Sequence, residues 1–408
     1  MINQLHRLLE ESFGEMVSIR RYLHQHPELS FKETKTAAYI ADFYHQLGIE
    51  VHTGVGGNGV VAKISGLKPG KTVALRADFD ALPIQDEKDV PYKSAVPGVM
   101  HACGHDGHTA LLLMLARAFH ELKDELEGEY VFIHQHAEEY APGGAKPMIK
   151  DGCLDGVDAI FGTHLWATVP TGTIQYRFGP IMAAADRFEI QIQGRGGHGA
   201  QPHKTNDAIV TASQLVIALQ QIVSRRVSPI DSAVVTVGSL VADNAFNIIA
   251  DKAKLIGTVR TFKEDVQDFI ESEIEKIVNG ICMAAGCSYE YVYHRGYPAV
   301  VPHDDETKQV IQSARLVEEV TAIEETVPDM SGEDFAYYLQ NVKGTFFFTG
   351  ALAEGTEIIY PHHHPKFDID EKAMLIAAKT LGTAAITYQK QDSESPAAST
   401  VVNEPTIN

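Results

Sequence analysis

Between residues 185 and 297 the chain runs strand, helix, strand, strand, helix, strand, and this order limits its fold more than any other feature. "DRFEIQIQG" alternates as a strand, Thr205 to Arg226 has helical spacing, "SAVVTVGSL" and "KAKLIGTVRTF" are β-rich, Glu264 to Ala285 is helical again, and "SYEYVYHRG" closes the set. That is the order of a ferredoxin-like α+β unit, a complete small domain. The flanks follow another grammar. Before the unit, "NGVVAKISG", "KTVALRADFDAL", "GEYVFIHQHAEE" and "DAIFGTHLWAT" alternate with helices at Glu33 to Leu47 and Asp106 to Leu122. After it come helices at Asp305 to Val320, Gly332 to Gln340 and Glu371 to Gln389, with the apolar strand "GTFFFTG" among them. Such alternation predicts an α/β domain with a mixed sheet covered on both faces. The expected organisation is one α/β domain, residues 1–184 and 298–390, interrupted by an inserted domain, residues 185–297. Residues 391–408, "QDSESPAASTVVNEPTIN", lack periodicity and read as a disordered tail. At the other end, Leu5, Leu8, Leu9, Val17, Ile19 and Leu23 predict one amphipathic helix ending before Pro27.

With 408 residues and 44% hydrophobic content the chain can bury real cores. No apolar run is expected to reach the ~18 residues of a membrane span, and the charged start lacks a signal-like apolar block. A formal net charge of -20, spread along the chain, argues against nucleic acid or an anionic membrane as a partner. Four dispersed cysteines without a C-x-x-C pair fit a reducing compartment, so the expected location is the cytoplasm.

Four segments combine strand ends or loops with metal-binding side chains: "HACGHDGH", "HQHAEE", "GTHLW" and "PHHHPKF". Each alone has a plain alternative, such as a hydrogen-bonded core histidine or a solvated glutamate pair; together they point to a metal site. Cys103 and His105 face one ion only if the loop bends, and Gly104 permits the bend. Thiolate, imidazole and carboxylate suit Zn²⁺, Mn²⁺, Co²⁺ or Ni²⁺ better than Mg²⁺ or Ca²⁺. Past the end of their strand, Glu138 and Glu139 can divide their work, one binding metal and the other serving as general base to a metal-activated water. His101 and His108 read as supporting residues.

In order along the chain, "RADFDALPI", "MHACGHDGHTA", "HAEE", "GTHLW", "GRGGHGAQPH", "AFNIIA", "GTVRT", "SGEDFA" and "HHHPKF" resemble the signature blocks of the M20 metallopeptidase family, over roughly residues 15 to 390. Within that family they resemble the amidohydrolase branch, with its aminoacylase-like, hippurate-hydrolase-like and indole-acetyl-amino-acid-hydrolase-like enzymes. The resemblance implies a two-metal catalytic α/β domain and an inserted lid through which subunits form a homodimer. It implies Cys103, His105, Glu139, His164 and His363 as metal ligands, His363 because the family's histidine stands two residues before a proline. It makes Glu138 the general base and acid, and Asp78 the carboxylate that orients a ligand histidine. In the lid it implies that His198 reaches into the partner's site to steady an oxyanion, and that Asn247 and Arg260 hold a substrate carboxylate; Arg260 has a salt-bridged strand residue as its equal alternative. Where many M20 peptidases have His-x-Asp, this chain has Arg76-Ala77-Asp78, a replacement the amidohydrolase branch shares.

The expected function is therefore a metal-dependent amidohydrolase, with two divalent ions per subunit, Mn or Zn first and Co or Ni next. It would cleave N-acyl amino acids, small-molecule substrates, to a carboxylic acid and a free amino acid. Three alternatives remain: a dipeptidase on the same fold, an amidase with Cys103 as nucleophile, and a non-catalytic binding protein on the hydrolase scaffold.

Overall fold

Alternation along the central strands explains the layering. Val73, Leu75, Tyr130, Phe132, Phe161 and Phe347 belong to one apolar core, while their neighbours Ala74, Val131, Ile133, Ile160, Phe346 and Phe348 belong to a second. Successive side chains of a strand point to opposite faces, so these strands are buried on both sides. The structure, a computed structural model, describes residues 1–389. Its large sheet has eight strands in the order Glu50–Val55, Gly59–Ser65, Glu127–Gln135, Lys68–Asp78, Ala159–Pro170, Lys343–Leu352, Thr173–Tyr176, Ala322–Glu325. The four central strands, from Glu127–Gln135 to Lys343–Leu352, pair in parallel and the sheet is mixed towards its edges. Helices His105–Glu121 and Lys372–Tyr388 fill one core with Leu111, Leu115, Ala377 and Leu381. Short helices Ala145–Lys150 and Ala336–Leu339 cover the other with Met148 and Tyr338.

The inserted unit is a separate four-stranded antiparallel sheet, ordered Ser288–Tyr297, Ala184–Gln193, Lys252–Thr261, Ala233–Val241. Helices Ala208–Gln221 and Glu264–Ala285 pack on it through Leu215, Leu219, Ile270 and Ile274. Fourth, first, third and second strand side by side is the ferredoxin-like arrangement that the element order predicts.

Several boundaries moved. The N-terminal stretch is two helices, Ile2–Glu11 and Phe13–Gln25, because the Ser12 hydroxyl donates back to Leu8 O at 2.7 Å and interrupts the helix. The helix expected at Thr205 starts at Ala208, where the Asp207 carboxylate caps the N–H groups of Ile209 and Val210, and it ends in a wide turn, Ile222–Arg226. The stretch Ala208–Arg226 does have the length and apolar composition of a membrane span, against expectation; five of its apolar residues are buried in the lid core. The helix from Asp304 stops at Ala314, and the one expected from Gly332 shrinks to Ala336–Leu339 because Glu333 and Asp334 turn towards Arg76. Three peripheral strands, Glu50–Val55 and Ala322–Glu325 at the two edges and Thr173–Tyr176 next to the second edge, carry too weak a pattern to be read in advance. The tail expected at 391–408 lies outside the described residues.

Candidate metal centre

The ligand groups gather where parallel strands end. Gly104, at φ +95, takes the left-handed turn that brings Cys103 and His105 onto one side, and His105 opens the helix His105–Glu121. His164 sits in strand Ala159–Pro170, with Nε2 3.4 Å from Cys103 Sγ. Glu138 and Glu139 follow strand Glu127–Gln135. His363 comes from the C-terminal loop, itself left-handed at φ +65, and its N–H donates to Ala102 O at 2.8 Å, which ties that loop to the cysteine loop. Its Nε2 is 3.3 Å from Glu139 Oε1, and His105 Nε2 is 3.8 Å from the same oxygen. Cys103, His105 and His164 have donor atoms within 4.8 Å of one another, as have Cys103, Glu139 and His363. The five residues implied as ligands are thus together.

The tautomers suit cation binding. His105 Nδ1 donates to Asp80, 3.0 Å from its carbonyl and 3.2 Å from its carboxylate, which leaves Nε2 as the nitrogen turned towards the cluster. His164 Nδ1 donates to Leu165 O at 3.0 Å, with the same result. His105 Nε2 and Glu139 Oε1 are buried without a hydrogen-bond partner. Buried atoms of this kind are normally satisfied, and here they converge with a thiol and two further imidazoles, a donor set that suits divalent cations of intermediate softness. Burial, reinforced by Glu139 and Glu138, pushes the Cys103 thiol up, and burial pulls His164 down. Both shifts run against the thiolate–imidazolium pair that a cysteine nucleophile needs.

Asp78 does not hold a ligand histidine; Asp80 does. Asp78 Oδ1 is 3.8 Å from His105 Nδ1 but 2.6 Å from His108 Nδ1, and His108 Nε2 in turn accepts from Leu165 N–H at 3.0 Å. With both ring nitrogens engaged, His108 braces the strand that carries His164. His101 is buried and neither of its ring nitrogens has a partner. His362 donates to Leu165 O.

Sequence reasoning missed the carboxylates behind Glu138. Buried Arg76 bonds Asp78 at 2.7 Å, Glu333 at 3.0 Å and Asp334 at 2.9 Å. Glu333 and Asp334 stand beside Glu138, which burial and then Glu333 and Glu139 push well above the usual carboxylate range. The "SGEDFA" block contained the signal, but nothing local ties it to Arg76.

A cavity of about 490 Å³ lies over the cluster, lined by Cys103, Glu138, His164, Trp166, Met182 and Arg260 among others. Arg260 enters from the lid; it makes no ion pair among the described residues, and its guanidinium donates to Val259 O and to Thr258 Oγ1. His198 and Asn247 do not line it. They occupy exposed positions on and beside the small ladder Gly197–His198/Ile248–Ile249. A larger hollow, about 670 Å³, opens on the lid beside Gln191, Gln193 and Lys252 and shares no residue with the cluster.

Residues 74–387 match the model of peptidase family M20/M25/M40. The chain is 63% identical to YhaA of Bacillus subtilis (strain 168), a name that places that protein among amidohydrolases without giving a substrate; 95% of this chain and 98% of the relative are covered. It is 46% identical to an N-acyl-L-amino acid amidohydrolase of Geobacillus stearothermophilus, over 74% of this chain and 82% of the relative. Its fold matches the crystal structure of the Bacillus subtilis YXEP protein, described as a dinuclear metal-binding peptidase of family M20, with a TM-score of 0.79, 35% identity and coverage of 93% and 99%. The strand-end ligand cluster, the inserted lid and these likenesses converge: the chain belongs to the M20 peptidase family, on its amidohydrolase branch.

Proposed function

We propose that this chain hydrolyses the amide bond of N-acyl amino acids, releasing a carboxylic acid and a free amino acid. The observation that carries the reading is Glu138, a buried carboxyl lining the same cavity as the ligand cluster and Arg260. Cys103, His105, Glu139, His164 and His363 would hold two divalent ions, Mn or Zn in first place and Co or Ni after them. Such ions supply Lewis acidity, lowering the pKa of water towards ~7 and polarising a carbonyl. Glu138 takes the proton of the attacking water and returns it to the departing nitrogen. Arg260 binds the carboxylate of the amino-acid half, for which its planar fork is suited.

The relative named for N-acyl-L-amino acids supports this substrate class. His198 and Asn247 stand on an exposed part of the lid, which agrees with their acting on a partner's site in a homodimer; the molar mass in solution tests that part. The decisive assay is amine release from a panel of N-acetyl and N-benzoyl amino acids, with free dipeptides as a second arm, using metal-stripped protein with and without Mn²⁺ or Zn²⁺. Metal-dependent release from the acylated panel is expected. Release from dipeptides alone would replace the reading with a dipeptidase.

A further inference from the structure

The Glu138–Glu139 pair hangs from an uncommon backbone. Ala137, immediately before it, is fully buried with φ +53, a left-handed conformation that a side-chain-bearing residue keeps only when its surroundings impose it. Four contacts impose it here. Ala137 N–H donates to Glu33 Oε1 at 2.8 Å, and Ala137 O accepts from Gly144 N–H at 3.1 Å. Glu138 O accepts from the Tyr297 hydroxyl at 2.7 Å, and Glu139 N–H donates to Asp80 Oδ2 at 2.9 Å.

Of the four partners, Glu33 is the one that binds the strained residue's own N–H through a side chain. It is fully buried, it precedes helix Thr34–Gln46, and its second oxygen accepts from Asn58 Nδ2 at 3.0 Å. The same short segment also reaches the other anchor, because Ser30 Oγ donates to Asp80 Oδ2 at 2.7 Å. Nothing in the chemistry proposed above uses Glu33, yet a buried carboxyl is expensive to keep without a purpose.

We propose that Glu33 is a positioning residue: its carboxylate holds Ala137 in the left-handed turn that aims Glu139 at the ligand cluster and Glu138 at the substrate. The inference rests on the roles proposed for that pair. It implies that replacing Ala137 by glycine, which adopts such a φ without steric cost, relieves the need for the clamp.

The test compares Glu33→Ala, Glu33→Gln and the double variant Glu33→Ala/Ala137→Gly with the parent chain. Three readouts are taken: hydrogen exchange of peptides spanning residues 134–140, Mn²⁺ affinity of metal-stripped protein by calorimetry, and kcat and KM on the best N-acyl substrate. Burial pushes the Glu33 carboxyl up to about 7, so assays run near pH 8.5 keep it ionised. Glu33→Ala is expected to speed exchange in those peptides and, as with other supports of metal ligands, to weaken Mn²⁺ binding by roughly 10- to 100-fold, lowering kcat more than it raises KM. Glu33→Gln keeps an acceptor for Ala137 and stays close to the parent, and the double variant recovers a large part of the loss. Parent-like behaviour of Glu33→Ala in all three readouts overturns the proposal, as does a double variant no better than the single one. If Glu33→Ala does not fold, Glu33→Asp, one methylene too short, must show the same losses in weaker form. A parent chain without activity on the panel would refute the substrate reading, while exchange and Mn²⁺ affinity would still decide the role of Glu33.

Discussion

The large sheet and the lid sheet are built on opposite plans. Central strands of the large sheet are buried on both faces; one delivers Glu138 and Glu139 just past its end, and another carries His164 in its middle, where the sequence placed a strand end. The lid strands alternate: Phe188, Ile190 and Ile192 point into a core, while Arg187, Gln191 and Gln193 face outwards. The lid commits one named side chain, Arg260, to the cavity and keeps His198 and Asn247 in the open. A parallel, doubly covered sheet is the rigid support a metal cluster needs, and a one-faced antiparallel sheet leaves a surface free for substrate or partner.

If this division is correct, the largest effect should follow from the ligand side. Glu138→Gln is expected to keep its metal and lose about 10²- to 10⁴-fold in kcat, whereas His105→Ala loses metal and turnover together; metal analysis beside steady-state kinetics separates the two. Retained turnover in Glu138→Gln would break the comparison at its root.

Stability should divide in the same way. Phe161→Ala, at a fully buried position of a central strand, should cost about 3–5 kcal/mol in denaturant unfolding, while Ile217→Ala, 70% exposed on the lid helix, should stay within about 0.5 kcal/mol. A large loss at Ile217 would mean that this face is covered in solution.

For Arg260→Ala, the lost charged hydrogen bonds to a substrate carboxylate, at about 1.5–3 kcal/mol, predict a KM raised roughly 10- to 100-fold with a smaller change in kcat. Equal losses with substrates that lack the carboxylate would return Arg260 to a structural role.

The smallest effect concerns acid. Asp86 and Asp106 are held below the usual carboxylate range: burial opposes this, but bonds from His24 and neighbouring N–H groups outweigh it at Asp86, and Arg20 and His24 do so at Asp106. A depressed folded pKa adds stability above the unfolded value near ~3.9 and loses it as pH falls below. Asp86→Asn, which leaves the five ligand residues themselves unchanged, should lower stability at pH 7 by about 1–2 kcal/mol and flatten the decline below pH 4, as followed by urea unfolding.

Much of this was readable in advance. The helix Glu264–Ala285 and the six-element order of the lid follow from local periodicity; Cys103, His105, Glu139 and His164 carried a local sign, a strand end or a bending glycine, while His363 was picked out only by the family resemblance. What failed was whatever depends on distant partners. "RADFDA" offers two aspartates, and nothing in the string says that Asp80 faces His105 while Asp78 faces His108. The truncated helix after Gly332 depends on Arg76, 257 positions away from Glu333.

By itself the sequence determined the fold class, the insertion and the chemical type of the site, because periodicity, turn residues and ligand types act over a few residues. Tertiary structure alone decided which carboxylate orients which histidine, that Glu33 grips the Ala137 amide, and that Arg76 gathers three acids. Those pairings arise from strand register and from loops closing over long separations, and a two-residue difference along a strand changes which neighbour a side chain meets.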